Sequence, residues 1–301
     1  MSAGDDVEIA LDAVQVHGAA GVGRVIAAGA HGGGLVDRRV VVGPLDPCGE
    51  CDVCRRGGAA VCPTARRRSE LGARVIAAAR WLVPLDDGLD LPVPAAAAIA
   101  GDVATAYTLY ARTGAGPREP VVVVGAAPIG RFLIEILLAK GLAPAAAAPP
   151  GAWADWLRSK GVPVAGDRPA LVAAFAEQGL DTRPWRVICA DPAATATAAE
   201  LAGPRATLTV LAGAPPPPVG EAVSWGVGPP TALPAGRGSS PVGSIAGDLL
   251  AREVSIIAVA GPHPDLVVET AAMCAKGEID LAGGTTLAPD DPLRTHIRTV
   301  R

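Results

Sequence analysis

The sequence predicts an α/β chain: a smaller β-rich unit carrying a metal lobe, followed by a doubly wound parallel sheet. Three observations predict it. Four cysteines crowd into GPLDPCGECDVCRRGGAAVCP. Four valines in a row, Val121–Val124, run through a glycine turn into an amphipathic stretch. Three later segments, WRVICADPA, ATLTVLAG and VSIIAVAG, each read as a short apolar strand closed by a turn.

The composition is compatible with that fold. Of 301 residues, 50% are hydrophobic and 19% charged, enough apolar material for a core and too little charge for wholesale disorder. The length suggests two domains or one large one. With 26 Lys+Arg against 30 Asp+Glu, the net charge of −4 gives no general attraction to phosphate, so nucleic acid is not an expected partner. Mean hydropathy is high, at +0.35. Even so, Gly, Pro or a charge breaks every long apolar stretch, and no membrane span is expected. MSAGDDVEIALD lacks the basic start and apolar core of a signal peptide, so a cytoplasmic, reducing setting is expected.

In such a setting Cys48, Cys51, Cys54 and Cys62 read as metal ligands rather than disulfides. Two-residue gaps let a tight loop wrap three sulfurs around one ion, and the fourth returns to close the shell. Zinc with four thiolates has no open position for water, so the site holds structure and performs no chemistry. Four free thiols and an iron–sulfur cluster are the alternatives.

The stretch PCGECDVCRRGGAAVC resembles the structural-zinc lobe of the zinc-type, medium-chain alcohol dehydrogenases, with the spacing of all four cysteines matched. The likeness continues upstream through GAAGVGRVIAAGAHGGGLVDRRVVVGPLDPCGEC and downstream through GARVIAAARWLVPLDDGLDLPVPAAAAIAGDVATAY, and covers most of the chain from about Gly18. It implies a shortened GroES-like β domain over residues 1–108 with the zinc lobe at 48–62. It also implies a Rossmann-type cofactor domain over 109–265 and a C-terminal return to the first domain over 266–301. Residues 179–203 carry a faint likeness to the branch that oxidises hydroxycyclohexene-carbonyl-CoA thioesters.

VVVVGAAPIGRFLIEILLAKG is a buried strand, a turn and a helix, the opening of a dinucleotide-binding fold. Phe132, Leu133, Ile136, Leu137 and Leu138 recur at helical spacing. The candidate cofactor-binding turn is Gly125, Ala127, Pro128, Ile129 and Gly130; the resemblance implies a glycine where Ala127 stands. The second strand, LAPAAAAPP, ends without the Asp or Glu that grips an adenosine ribose, and without an Arg suited to a 2′-phosphate. Asp155 is the first acid beyond it, within the next helix. By resemblance, Leu211-Ala212-Gly213 and Val259-Ala260-Gly261 would lie against the nicotinamide. The Pro/Gly-rich run between them reads as a surface insertion. ETAAMCAKGEIDL reads as a helix.

The resemblance also implies a catalytic zinc with three protein ligands, and the chain lacks all three. No Cys precedes Gly18. The Gly-His-Glu pattern falls on Gly18, Ala19 and Ala20, and the third ligand position, counted back from Thr105-Ala106-Tyr107, falls on Gly101. His17 and Asp102 lie close to these positions, but two ligands make a poor zinc site, and they read more simply as a strand-end residue and a helix cap. Two functions follow. One is an oxidoreductase acting on a small-molecule substrate with NAD or NADP, its substrate polarised by hydroxyls such as Tyr107 or Thr105 in place of catalytic zinc. The other is a non-catalytic scaffold or subunit retaining only the structural zinc. The last strand in sheet order, Ser255–Val259, is short and apolar, and predicts a homodimer through its open edge.

Overall fold

The structure, a computed structural model, describes residues 5–15, 19–68, 71–86, 91–125, 128–180, 185–212, 248–249, 251–281 and 297–300. The expectations for Gly18, for Gly213 and for the Pro/Gly-rich run that follows it lie outside these residues.

The chain opens with β1 (Asp6–Gln15), in which Val7, Ile9, Leu11 and Ala13 point inward and the residues between them do not. An irregularity between Leu11 and Ala13 shifts the register, so Val14 and Gln15 are both buried. β2 (Gly21–Ala28) returns antiparallel, with the Gln15 amide donating to the Ala20 carbonyl at 2.8 Å. β3 (Arg39–Val42) extends the sheet. The metal lobe follows, built on the hairpin of β4 (Leu45–Asp46) and β5 (Arg66–Arg67), with the short helix α1 (Asp52–Arg55) between them. β6 (Arg74–Ala78) and β7 (Val83–Pro84) then pair with β1 and β3. Val7, Ile9, Leu11, Val25, Val40 and Leu82 form the core of this unit.

The short helix α2 (Val93–Ala96) leads to one π-type turn, Ile99–Val103, and directly into α3 (Ala104–Thr113). α3 is fastened to the second sheet by a buried Thr113–Thr209 hydroxyl pair at 3.0 Å. That sheet begins with β8 (Val121–Val124), all four valines buried because helices cover both faces. α4 (Pro128–Ala139) buries Phe132, Leu133, Ile134, Ile136 and Leu137, worth about 1.5–3 kcal/mol each. β9 (Pro144–Ala147), α5 (Ala152–Ser159), β10 (Val164–Ala165), α6 (Arg168–Glu177), β11 (Arg186–Cys189), α7 (Thr195–Leu201), β12 (Thr207–Leu211) and β13 (Ser255–Val259) follow. The six strands are all parallel, in the order β10-β9-β8-β11-β12-β13, which is the doubly wound arrangement.

α8 (Val267–Ala275) and β14 (Ile297–Thr299) complete the chain. β14 pairs with β1 in the first sheet, Ala13 opposite Thr299. The segment after α8 is held to α4 by a buried ion pair: Arg131 donates to Glu135 and to the Asp280 carbonyl, while the Asp280 amide donates to Glu135. Among the described residues, no helix is long and apolar enough to cross a membrane.

Candidate functional site

The four predicted cysteines converge. Their sulfurs all lie within 4.8 Å of one another, and among the described residues no other group of His, Cys, Asp or Glu meets that geometry. Cys48 and Cys62 stand 3.6 Å apart; Cys48–Cys54 and Cys51–Cys62 are each 3.9 Å. A tetrahedron with bonds of 2.3 Å to zinc has edges of about 3.8 Å. The spacing fits a single ion and leaves no room for a multi-iron cluster.

Backbone N–H groups of Cys48, Cys51 and Cys54 point at the sulfurs of Cys62, Cys48 and Cys51, at 3.3–3.5 Å, and so favour thiolates. Hydrogen bonds, first from Thr64 and then from the backbone at Glu50, hold Cys48 down to about 5. Burial among the other sulfurs pushes Cys54 up to about 12. Cys48 and Cys54 are thus pushed in opposite directions within one pocket, a conflict that a divalent cation removes.

The chain makes the wrap with Gly57 at φ 79°, a backbone conformation that a side chain would strain. Trp81 Nε1 donates to the Pro47 carbonyl, and buried Asp46 pairs with Arg66 and Arg68. His263 Nε2 meets the Gly57 carbonyl at 2.8 Å, joining the lobe to the segment after β13.

At the β8–α4 turn, Gly125 has φ 110°, and a Cβ there would stand 2.7 Å from that of Asp191. A Cβ on Gly130 would stand 2.4 Å from the Gly125 carbonyl oxygen. Both glycines are thus required by the close passage of helix against strand. Pro128 and Ile129 open α4; Ala127 lies outside the described residues. The N-terminus of such a helix, directly after a buried strand, is where a pyrophosphate would be accepted.

Its surroundings read ribose poorly. β9 ends in Ala147, followed by Ala148 and Pro149. Asp155 is exposed and pairs with Arg158 at 2.8 Å. Asp191, beside Gly125 and capping the turn that follows β11, was not singled out from the sequence. Its signal there is the Asp-Pro pair that opens a helical turn.

The positions that match the Gly-His-Glu pattern and the third ligand do come together, without donor atoms. Ala19 and Ala20 are buried, and a Cβ built on Gly101 would lie 3.0 Å from that of Ala20. The same Cβ would lie 2.0 Å from Gln15 Oε1, so the Gln15 amide fills the space a side chain at 101 would need. His17 lies outside the described residues. Asp102 is not a helix cap: α3 has no side-chain cap, and the Asp102 carboxyl instead meets the Gln15 side chain.

The two hydroxyls proposed to polarise substrate are otherwise engaged. Thr105 donates to the Gly101 carbonyl at 2.8 Å. Tyr107 is buried beside Glu269 and Lys140, and burial first, then Glu269, pushes its hydroxyl up to about 12.

A six-stranded doubly wound sheet, a β unit closed by the terminal strand and a four-cysteine lobe between them define the fold of the zinc-type alcohol dehydrogenases. Solved structures with this fold include galactitol-1-phosphate dehydrogenase from Escherichia coli, with a TM-score of 0.71 and 16% identity over 94% of this chain and 85% of that one. Another is the short chain alcohol dehydrogenase rspB of E. coli CFT073, solved with NADH (TM-score 0.70, 18% identity, 93% and 83% of the two chains). A third is the alcohol dehydrogenase TADH from Thermus sp. ATN1 (TM-score 0.70, 16% identity, 93% and 84%). No family model and no curated protein matches the sequence.

Proposed function

We propose that this chain is an alcohol-dehydrogenase-like, cytoplasmic oxidoreductase that holds one structural zinc and transfers hydride between a small-molecule substrate and NAD or NADP without a catalytic metal. The observation that carries the metal reading is the set of four sulfurs within 4.8 Å of one another. Zinc there supplies cross-linking of the lobe. The absence of a catalytic metal is supported by Ala19, Ala20 and Gly101, with Gln15 packed into the remaining space. The nicotinamide cofactor supplies hydride when bound; Gly125, Pro128, Ile129 and Gly130 would hold its phosphates, and the apolar end of β9 accounts for no preference between NAD and NADP.

A second reading, a non-catalytic scaffold that keeps only the structural zinc, is favoured by a specific pair of observations. The ribose-reading position is Ala148-Pro149, and the Asp191 carboxylate stands beside the phosphate turn, where it opposes an anion.

Two measurements on the purified protein separate the readings. Metal analysis should give one zinc per chain, lost when the four cysteines are changed to serine; two zincs per chain would overturn the assignment. Titration of NADH and NADPH followed by fluorescence should show saturable binding of at least one. If neither binds, the scaffold reading stands.

A further inference from the structure

The parallel sheet reverses its direction of growth between β8 and β11. From β8 the chain builds outward through β9 to β10, then lays β11 on the other side of β8 and continues to β13. Open sheets of this kind take their ligands in the crevice beyond the carboxyl ends of the strands at such a reversal. Those ends are in register here. Cys189 lies opposite Val124, and the Ala190 N–H donates to the Val124 carbonyl at 2.9 Å. Gly125 and Asp191 are the next residues out. A Cβ on Gly125 would stand 2.7 Å from the Asp191 Cβ and 2.9 Å from its amide nitrogen. The acid therefore sits against the first glycine of the candidate cofactor turn.

Asp191 is held there with one oxygen to spare. Its Oδ1 accepts the Ala193 N–H at 2.9 Å, and its carbonyl accepts the Cys189 S–H at 3.0 Å. Pro192 begins the helical turn that it caps. The residue is half-buried, and Oδ2 has no partner among the described residues. A cap needs one oxygen and no charge, and serine serves as well. The second oxygen and the charge are left over. Across the reversal nothing comparable is found. β9 ends in Ala147, followed by Ala148 and Pro149, and Asp155 pairs with Arg158. In a doubly wound sheet the half that opens with the glycine turn takes the adenosine. The half across the reversal takes the second nucleoside, with the pyrophosphate between them at the helix N-terminus. This chain has no acid for the first ribose and an unpartnered carboxylate oxygen where the second nucleoside begins.

We propose that Asp191 is the ribose-gripping residue of the crevice: its Oδ2 accepts the hydroxyls of the nicotinamide ribose, and the chain holds its dinucleotide by the nicotinamide half. The proposal rests on the hydride-transfer reading. A ribose diol offers two O–H donors, which a carboxylate accepts in charge-assisted bonds. The same charge repels phosphate, so the sign of its effect on affinity separates a grip from a barrier. NAD and NADP differ at the adenosine ribose, in the other half, and Asp191 does not distinguish them.

The test measures NADH and NADPH binding by fluorescence, and ADP-ribose and ADP binding by calorimetry. It compares the full-length protein with Asp191→Ser and Asp191→Asn, each checked for thermal unfolding. Serine keeps the cap and is too short to hold the ribose. Asparagine keeps the cap and the shape, loses the charge, and keeps the test readable should serine unfold the protein. ADP-ribose carries the second ribose and ADP does not. Asp191→Ser should weaken NADH and NADPH alike, by about tenfold to a hundredfold. It should weaken ADP-ribose similarly and should not weaken ADP. Asp191→Asn should follow the same pattern with a smaller loss. Unchanged or tighter binding of NADH and ADP-ribose in the folded variants would make Asp191 a cap or a barrier and overturn this role alone. A loss confined to NADH, or shared by ADP, would place the acid at the adenosine half and overturn it as well. If the parent binds neither NADH nor NADPH, the hydride-transfer reading falls and this role with it.

Discussion

Asp102 carries a cost to stability. Burial holds it neutral up to about 7, whereas a free aspartate ionises near 4. The folded value lies above the unfolded one, so the stability this group contributes is complete below about pH 4 and is lost as the pH climbs through about 7. Asp102→Asn should therefore be more stable than the parent at pH 8, by about 2 kcal/mol after discounting for the part of the side chain that reaches solvent, and equal to it near pH 4. Urea unfolding at the two pH values checks this, and an unchanged difference between them would count against a buried acid. At this scale the sequence was legible where the chemistry is local. Cys48, Cys51, Cys54 and Cys62 sit within fifteen residues, and their spacing alone brings the sulfurs together. Gln15 was illegible, because its arrival beside Gly101 depends on the register shift in β1 and on a contact spanning more than eighty residues. The same contact turned Asp102 from an expected helix cap into the partner of a buried amide.

The lobe and the α4 clamp behave differently when broken. α1 has four residues, too few to stand as an isolated helix, so its shape depends on the thiolates around it. Removing zinc with a chelator, or changing Cys54 to Ser, should free residues 48–62 to rapid proteolysis. It should also release the His263–Gly57 contact. Limited proteolysis with and without metal is the measurement, and equal protection in both states would count against a metal-built lobe. The Arg131–Glu135 pair is 2% and 6% exposed, and both partners also bond to the Asp280 backbone. Glu135→Ala should cost about 3–5 kcal/mol by stranding the Arg131 guanidinium, and Arg131→Met combined with Glu135→Leu should recover most of that loss. Denaturant midpoints of the single and double variants test it. β8 and α4 were legible because four valines and a helical apolar period are strong signals. β10 was not, since Val164–Ala165 offers only two residues of pattern, and its pairing with β9 is dictated by the sheet.

β13 ends the parallel sheet with Ile256 55% exposed and Ser255 and Ala258 also facing out. Beside it lies a shallow recess lined by Gly57, Val61 and Gly261. A homodimer formed by two such edges should appear in light scattering at micromolar concentration, and Ile256→Lys should shift it to monomer. A monomeric parent would dismiss that arrangement. The doubly wound sheet as a whole was legible from the strand–turn segments, whereas the apposition of the two units was not, because it is set by long-range contacts such as that between His263 and Gly57. The pairing of β14 with β1 has a bearing on biosynthesis. The edge of β1 at Ala13–Gln15 waits for residues 297–299 before it is covered. At typical translation rates that interval lasts from about 15 s to a minute. Throughout it, the nascent chain presents an unpaired strand edge while the parallel sheet assembles behind it. Dependence on a ribosome-associated chaperone, relieved by moving residues 297–299 ahead of β1 in a circular permutant, is the behaviour this closure predicts.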